Sequence, residues 1–313
     1  MQSGAEWLQA ALRCPRCLGT LEIGADLHCV ACGSQYASVD GTPVLIDPDV
    51  TLIDPPVSVS VSNETRSALG SRLNALLPAL GTSRGSAPNF ERLAALLAQV
   101  PRERPRVLVV GGRILGAGME PLVDARLDLV ETDVALGPRT ELVCDAQRLP
   151  FADETFDAVV VQAVLASVPD VERAVDELHR VLVADGLVYA EDAFIQQVWG
   201  GRFDFHRWTP LGHRRLFRRF EEVDSGILDG PGTALAWSWH YFLLSFARSR
   251  KGRKVLQVAG RLSGFWPKYF DAILRRHPAA FDAASGVYFL GRKSERTVGD
   301  RELVAAYRGM VGT

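Results

Sequence analysis

The chain has 313 residues and a formal net charge of −2, from 35 Lys and Arg residues against 37 Asp and Glu residues. Hydrophobic residues make up 47% and charged residues 23%, which excludes a collagen-like or largely disordered chain and gives no global basic field for nucleic acid. No apolar run is long enough to cross a bilayer and the N-terminus lacks a signal-peptide pattern, so we expect a cytoplasmic protein.

The N-terminal segment carries a regular cysteine pattern. Cys14 and Cys17 form one CxxC pair, Cys29 and Cys32 form another, and eleven residues separate the pairs. Two such knuckles can place four thiolates around one ion, and soft thiolate ligands favour zinc. We therefore predict a structural Zn²⁺ site in a zinc ribbon over residues 1–50, which ends in a strand at GTPVLI. Paired disulfides, or a ribbon without metal, are the alternatives.

Residues 51–88 differ in composition from the segments on either side. They are rich in Pro, Ser, Asn and Gly, which predicts a linker or cover segment. Within it we expect a short helix near residues 67–80, and the alternating VSVSVS also fits an added edge strand.

Strand and helix patterns alternate after Asn89, which we predict as a helix N-cap. The predicted strands cover residues 106–112, 127–133, 141–146, 156–164 and 186–194. Helices are predicted over 90–100, after the glycine-rich turn that follows the first strand, and over 171–182. This alternation predicts an α/β, Rossmann-like parallel sheet with helices on both faces. Such sheets bind ligands at the carboxyl ends of their strands.

The ends of the first three strands carry groups suited to a nucleoside. The first ends in GGRILGAG, and its glycines let a ligand approach the backbone, as in NAD and FAD sites or in plain tight packing. The second ends in Glu131-Thr132-Asp133 and the third in Cys144-Asp145-Ala146, where carboxylates can accept hydrogen bonds from ribose and adenine. Each acid alone could equally cap a helix or face solvent. Their occurrence at successive strand ends favours a nucleoside cofactor.

Residues 106–195 resemble a class I S-adenosylmethionine-dependent methyltransferase, of the type 11-like group that includes quinone-biosynthesis enzymes. The resemblance rests on the run DAQRLPFADETFDAVVVQAVLASVPDVERAVDELHRVLVADGLVY. This run contains the family's motifs in the family's order: an acid, an LPF turn, FD before the fourth strand, RVL at a helix end and a glycine turn. The cysteine module resembles a ribbon-like small subunit or domain attached to several such enzymes.

The resemblance implies an S-adenosyl-L-methionine site and transfer of its methyl group. The methionine part of the cofactor would face the glycines at the end of the first strand. Its ribose would face Asp133 and its adenine would face the end of the third strand. Gln162 would contact the cofactor or the substrate. Glu131 is the rival of Asp133, which we prefer because it holds the family's acid position. The cofactor-binding residues implied in this way are Gly111, Gly112, Gly116, Asp133, Asp145, Ala146 and Gln162.

The chain departs from the family pattern at two places. Val109 and Arg113 stand where the family has an acid and a glycine of the glycine-rich loop. After the fourth strand, Ala166-Ser167 replaces a common Glu-His pair.

The long loop after the fifth strand is expected to help form an acceptor pocket. Asp192, His206 and His213 are candidate catalytic bases, each with a structural hydrogen bond as the alternative. His179 is expected on a helix surface. A basic helical face, either solvated or attracting a phosphate-bearing substrate, is predicted from Arg214, Arg215, Arg218 and Arg219.

A helical insert at about residues 232–282 separates the predicted sixth and seventh strands, FEEVDSGIL and SGVYFLGRK. It contains two aromatic-rich helices joined by the cationic SRKGRK. The insert can be extra core, a lid over an apolar acceptor, a peripheral membrane contact or a homodimer interface.

These features predict a zinc ribbon joined to a methyltransferase domain at residues 89–313. The expected acceptor is a small molecule, either apolar or a precursor of the cell envelope or of secondary metabolites. Zinc ribbons also guide RNA methyltransferases, but Arg13 and Arg16 are the only cations of this ribbon, so nucleic acid is the weaker hypothesis. A non-catalytic interaction module is the third hypothesis, and the acids Asp133 and Asp145 argue against it.

Overall fold

The computed structural model describes residues 5–24, 26–52, 77–81, 85–124, 126–199 and 201–310. Residues 67–76 of the expected linker helix and the VSVSVS segment lie outside the described residues. Residues 77–81 are not helical.

The cysteine module begins with helix α1 (Ala5–Ala11). A small antiparallel sheet follows, built from β1 (Leu21–Ile23), β2 (Leu27–Cys29) and β3 (Gln35–Tyr36). Next come β4 (Ser38–Val39) and β5 (Thr42–Leu45), the strand predicted in GTPVLI. β5 pairs in parallel with β8 (Leu142–Cys144), with Leu45 opposite Cys144. The module therefore adds β5 and β4 to the edge of the main sheet.

The main sheet contains the predicted strands of the α/β pattern. They are β6 (Arg106–Val110), β7 (Asp128–Asp133), β8, β9 (Phe156–Gln162), β10 (Leu182–Ala193), β11 (Phe220–Asp229) and β12 (Gly286–Lys293). The order across the sheet is β11-β12-β10-β9-β6-β7-β8-β5-β4, and only the pairs that involve β11, β12 or β4 with their neighbours are antiparallel. The chain order reverses between β6 and β9, which is the switch point where such sheets bind ligands.

Two hydrophobic clusters cover the two faces of this sheet. One contains Phe151, Phe156 and Phe289, and the other packs Phe90 and Tyr189 beneath helix α2 (Ser86–Leu97). Helix α3 (Val171–Val181) adds its buried stripe to the first cluster. Burial on both faces explains why β9 is apolar along its length rather than alternating. The predicted Rossmann-like α/β class is confirmed.

The structure corrects three local predictions. The helix expected after the glycine-rich turn is only a 3₁₀ turn at Glu120–Leu122, because the connection carries several glycines and a proline. Asn89 is not the N-cap, because α2 already begins at Ser86, and its amide instead donates to the hydroxyl of Tyr189 at 3.0 Å. His179 is not on the surface: it is 8% exposed and packs edge-on against Phe220.

The predicted basic helical face is also different in the structure. Helix α4 (Pro210–Leu216) ends before Arg218 and Arg219. The four arginines form ion pairs: Arg214 with Glu222, Arg215 and Arg218 with Asp300, and Arg219 with Asp176. These pairs dock α4 and its following turn onto neighbouring elements.

The insert between β11 and β12 is helical, as predicted. It contains α5 (Pro231–Leu244), α6 (Arg250–Gly264), a 3₁₀ segment (Trp266–Phe270), α7 (Asp271–Leu274) and α8 (Pro278–Asp282). The last described helix is α9 (Asp300–Ala305). Within the described residues, no helix combines the length and the apolar character needed to cross a membrane.

Candidate functional site

A cavity of about 260 Å³ lies at the carboxyl ends of β6–β9, and we call it the strand-end cavity. Five of the seven predicted cofactor residues line it, namely Gly111, Asp133, Asp145, Ala146 and Gln162. Groups from four strand ends therefore meet at the switch point of the sheet. Glu131, the rival of Asp133, is absent from the described lining because its carboxylate is held by Arg139 at 2.7 Å.

The glycine-rich turn fits closely against its neighbours. Gly111 has φ +83°, and a Cβ there would lie 2.2 Å from the Cγ2 atom of Val164, so only glycine is tolerated. The amides of Gly111 and Gly112 both donate to the carbonyl of Thr132 at 2.8 Å. The turn is thus held to the end of β7 by two hydrogen bonds. Gly112 is not part of the described lining of the cavity.

Gly116 is also outside the described lining of the cavity, but it makes room for one of the lining residues. A Cβ at Gly116 would lie 1.8 Å from Oε1 of Gln162, so the glycine leaves room for that side chain. Gln162 in turn donates to the carbonyl of Ala117 at 3.0 Å and to the carboxylate of Glu191 at 2.8 Å. The glycine-rich loop therefore fixes the orientation of Gln162.

The two acids of the strand-end cavity differ in their hydrogen bonds. The carboxylate of Asp133 accepts a hydrogen bond from the amide of Ala135 and also interacts with the amides of Arg113 and Val134. Burial raises the pKa of this carboxyl group, although these hydrogen bonds and the nearby Arg113 cation act in the opposite direction. Asp145 accepts two hydrogen bonds, from the backbone and the side chain of Gln147. Both carboxylates are therefore held in place by neighbouring amide groups.

Arg113, which replaces a family glycine, also lines the strand-end cavity. Its buried Nε–H has no hydrogen-bond partner among the described residues. Its side chain packs against Gly137, where a Cβ would lie 1.9 Å from Cγ of Arg113. An unpaired buried donor is costly, so this group fits a ligand that offers an acceptor.

A second cavity of about 340 Å³ adjoins the first, and we call it the side cavity. Both cavities are lined by Ala163 and Trp199. The rest of the side cavity combines carboxylates, amides and aromatic rings; its described lining includes Glu191, Asp192, Gln196, Gln197, Trp237 and Tyr241. Sequence analysis had placed Trp237 and Tyr241 in the insert without distinguishing them from the other aromatic residues there.

Of the three predicted bases, only Asp192 lines the side cavity. Its Oδ2 atom lies 3.0 Å from Nε2 of His213, a buried histidine of α4, and its buried Oδ1 atom has no partner among the described residues. Burial raises the pKa of the Asp192 carboxyl group. The Nε2 atom of His206 lies 3.0 Å from the carbonyl of Val168, and neither histidine is in the described lining of either cavity.

Sequence analysis missed Glu191. Its carboxylate accepts hydrogen bonds from Ser86, Gln162 and Tyr189, and its pKa is raised by burial. The sequence did contain an indication, because an acid at a buried strand position needs a polar partner. The prediction selected the neighbouring Asp192 instead.

The four N-terminal cysteines converge on one point. Their Sγ atoms all lie within 4.8 Å of one another, at 3.7 Å for Cys14 and Cys32 and 3.5 Å for Cys17 and Cys29. Zn–S bonds of about 2.3 Å in a tetrahedron give sulfur–sulfur distances of about 3.8 Å, whereas a disulfide needs about 2.05 Å. The cluster therefore fits a four-thiolate metal site.

Comparison with known proteins agrees with the fold. Residues 121–190 match the family model described as a methyltransferase domain. The demethylmenaquinone methyltransferase of Renibacterium salmoninarum is 35% identical over 129 residues, 34% of this chain and 54% of that protein. The mitochondrial arginine-hydroxylase NDUFAF5 of Rattus norvegicus is 36% identical over 72 residues, 23% of this chain and 18% of that protein.

Among solved structures, the phosphoethanolamine N-methyltransferase 2 of Haemonchus contortus in complex with S-adenosyl-L-methionine has a TM-score of 0.43 at 15% identity, covering 66% of this chain and 52% of that chain. The chain spans about half the length of the demethylmenaquinone methyltransferase that it matches. The main sheet is the Rossmann-like α/β sheet predicted from the sequence, and residues 121–190 within it match the methyltransferase domain family. The resemblance to the type 11-like group is thereby confirmed.

Proposed function

We propose that the protein is an S-adenosylmethionine-dependent methyltransferase that acts on a small-molecule acceptor. The observation that carries the proposal is the strand-end cavity, where residues from four strand ends meet beside a second cavity. Three of these strands, β7, β8 and β9, lie in the segment that matches the methyltransferase family. S-adenosylmethionine would occupy the strand-end cavity and the acceptor the side cavity.

The residues present suit the cofactor. Asp133 lines the strand-end cavity and would accept the ribose hydroxyls. Asp145 and Ala146 would face adenine, and Gln162 would reach the methionine part. The unpaired Nε–H of Arg113 offers a donor for an oxygen of the cofactor. When bound, S-adenosylmethionine supplies an electrophilic methyl group on a positively charged sulfur.

In this proposal the two ligands lie side by side in the two cavities. The strand-end cavity alone is slightly smaller than the roughly 300–1,000 Å³ of ordinary ligand sites. Because Trp199 and Ala163 line both cavities, the methyl-donor end of the cofactor would reach the side cavity past these residues. The chain then acts mainly by holding two reactants in one orientation and by excluding water.

Asp192 is the proposed general base that takes a proton from the molecule being methylated. Glu191 already accepts three hydrogen bonds, whereas Oδ1 of Asp192 is free of partners among the described residues. A carboxyl pKa raised by burial suits proton transfer nearer neutral pH. His213 would act as a positioning residue through its 3.0 Å contact with Asp192. We assign no proton transfer to His206.

The lining of the side cavity suits a flat apolar acceptor. Trp199, Trp237 and Tyr241 supply aromatic faces, and Gln196 and Gln197 supply a few polar groups. Relatives named demethylmenaquinone methyltransferase point in the same direction, so we propose an aromatic, quinone-like molecule. The comparisons give no support to an RNA methyltransferase or a non-catalytic module, and Arg16 of the ribbon is already paired with Asp49.

We further propose that the cysteine cluster holds a structural Zn²⁺. Four thiolates close a tetrahedral site, so no position remains for a substrate. The hydroxyl of Tyr36 lies 3.0 Å from Sγ of Cys14 and would donate to that thiolate, which fixes the ligand from outside the metal shell.

Calorimetric titration of S-adenosylmethionine and S-adenosylhomocysteine into the metal-loaded protein tests the main proposal. We expect micromolar binding that falls about 10- to 100-fold in Asp133→Asn, because a hydrogen bond to a carboxylate is worth about 1.5–3 kcal/mol. Asp176→Asn is the matched control, because Asp176 is an exposed acid paired with Arg219 away from both cavities. Absence of binding by a folded protein would overturn the enzyme proposal and favour the interaction module.

A second measurement addresses the acceptor. With methyl-labelled cofactor and the reduced hydroquinone form of demethylmenaquinone as the probe, a ring carbon attacks the methyl group and then loses its proton. We expect label transfer that Asp192→Asn slows without weakening cofactor binding. Transfer that is undiminished in Asp192→Asn would remove Asp192 from the proposed role.

A further inference from the structure

The helical insert carries an exposed apolar surface together with an excess of cations. Between residues 231 and 277 the sequence has nine Lys or Arg residues and one acid, Asp271, in a chain whose net charge is −2. Asp271 is buried and accepts hydrogen bonds from the start of α5, so it does not offset the surface charge. The insert is therefore a strongly basic part of a nearly neutral molecule.

Helix α5 has two opposite faces with different environments. Trp237 and Tyr241 face the side cavity. One exposed stripe at helical spacing lies on the other side, formed by Leu235, Trp239, Phe242 and Phe246. The rings of this stripe touch in sequence, at 5.7 Å for Trp239 and Phe242 and 5.3 Å for Phe242 and Phe246. The rings of the stripe are thus ordered by contacts with one another, yet 63% of Phe246 is exposed.

Helix α6 also carries exposed apolar side chains. Its own exposed stripe consists of Val255, Val258 and Leu262. The two helices meet where the indole of Trp239 donates to the hydroxyl of Ser263 at 2.9 Å. The 3₁₀ segment and α7 add Trp266, Tyr269, Phe270 and Ile273, all of them exposed. Single exposed apolar residues are common on protein surfaces, but so many within one insert are not.

Cations border these stripes. Five of them cluster at the connection from α5 to α6 and form no ion pair with any described residue, namely Arg248, Arg250, Lys251, Arg253 and Lys254. Lys251 lies one turn before Val255 on the same side of α6. The arginines of α4, by contrast, are all paired with acids. The unpaired cations of the insert therefore lack a negative partner within the part of the chain that the structure describes.

We infer that this insert surface docks on the headgroup region of an anionic lipid bilayer. Aromatic and aliphatic side chains on one face of a helix enter the interface, and flanking Lys and Arg residues bind anionic headgroups. A second copy of the chain is a poor occupant, since a symmetric dimer would bring the same cluster of cations against itself. This inference goes beyond the proposed function and does not depend on cofactor binding.

Flotation of the full chain with vesicles tests the inference. We expect binding to phosphatidylcholine vesicles that contain phosphatidylglycerol, weak binding to pure phosphatidylcholine, and a strong decrease with salt. Each basic residue near such a surface contributes about five-fold in affinity, so Arg250, Lys251, Arg253 and Lys254 changed together to Gln should weaken binding by at least about 100-fold.

Two further variants separate apolar insertion from charge. Phe242→Ser with Phe246→Ser keeps every cation and should still weaken vesicle binding about 10-fold or more, because these exposed rings enter the interface. A control with the same net charge as the first variant changes Arg104, Arg126, Arg296 and Arg301 to Gln, and it should bind like the parent. Circular dichroism verifies folding of each variant.

Four results would overturn the inference. One is the absence of binding to anionic vesicles at low salt, and another is equal loss in the control variant. The third is a concentration-dependent dimer in analytical ultracentrifugation that the Phe242 and Phe246 substitutions abolish, which would assign this surface to a second copy. RNA binding that is insensitive to those two substitutions would likewise assign the cations to another polyanion. The vesicle assay contains no cofactor, so its failure leaves the proposed function unaffected.

Discussion

Asp133 is the residue whose ionisation should govern the strand-end cavity. Its carboxylate must be charged to accept two ribose hydroxyls well, while burial raises its pKa above the ordinary aspartate value of about 3.9. Lowering the pH therefore protonates Asp133 earlier than an exposed aspartate. We expect the affinity for S-adenosylhomocysteine to be constant near neutral pH and to fall as the pH decreases through this raised pKa.

Calorimetric titrations between pH 8 and pH 4.5 measure this dependence. In Asp133→Asn the affinity should be lower throughout and nearly independent of pH, because the titrating group is gone. Asp176→Asn should keep the dependence of the parent. If the parent loses no more affinity on acidification than Asp133→Asn does, in a protein still folded by circular dichroism, then ionisation of Asp133 does not govern cofactor binding.

At the scale of elements, Arg180 connects helix α3 to the turn that follows β8. Its guanidinium donates to the carbonyls of Leu149 and Phe151 and forms ion pairs with Asp153 and Glu177. Glu177 in turn accepts the amide of Leu149 at 2.8 Å. The LPF and RVL motifs of the sequence are therefore two halves of one hydrogen-bonded joint.

Removal of this joint should destabilise the whole domain. Arg180→Met keeps much of the aliphatic stem but leaves Glu177 and two carbonyls without their donor. We expect a loss of about 2–4 kcal/mol in the free energy of unfolding, measured by urea denaturation. Arg126→Met is the control, because Arg126 is 84% exposed and, among the described residues, forms an ion pair with Asp124 alone. Its loss should cost less than about 1 kcal/mol. Equal values for the two variants would show that the joint adds little stability.

The strands of the main sheet could be predicted because their signals are local. Buried parallel strands are continuous apolar runs, as in β9, and the acids that end β7 and β8 follow directly in the sequence. The glycine-rich connection misled the prediction, since its glycines and proline resemble a family motif but do not favour a helix. The burial of His179 depends on Phe220 of a distant strand, which helix periodicity alone does not reveal.

The side cavity could not be predicted for a related reason. Its lining joins Asp192 of β10 to Trp237 of α5, residues far apart in sequence. Periodicity shows that α5 has apolar positions all round, but it does not say which side packs against β10. Adjacent residues of a strand point to opposite faces, so choosing between Glu191 and Asp192 also required the packing of both faces.

At the scale of the whole molecule, the cysteine module and the main sheet form one continuous structure. β5 pairs with β8, and the backbone bridge between Leu12 and Phe151 joins the end of α1 to the turn before β9. The amide of Arg13 donates to the carbonyl of Pro150 at 2.9 Å. A metal bound by the cysteine cluster would therefore stabilise an edge of the sheet. The neighbouring strand there is β8, which Asp145 and Ala146 of the strand-end cavity follow directly.

Removing the metal should consequently loosen the cofactor site at a distance. Folding of small thiolate sites is coupled to metal binding, so chelation should unfold the module and uncover the edge of β8. We expect amide exchange over residues 142–146 to accelerate at least about 10-fold, and cofactor affinity to fall with it. Hydrogen-exchange mass spectrometry of metal-loaded and chelated protein measures the first effect, and calorimetry measures the second.

Cysteine variants identify the thiols responsible. Cys17→Ser with Cys32→Ser removes two exposed members of the cluster and should reproduce the chelated state, with the bound zinc lost by elemental analysis. Cys144→Ala, which lacks the fifth cysteine, should keep one zinc per chain because Cys144 is not in the cluster. If exchange over residues 142–146 is unchanged when zinc is removed, the sheet edge is stable without the module, and the metal acts only within the ribbon.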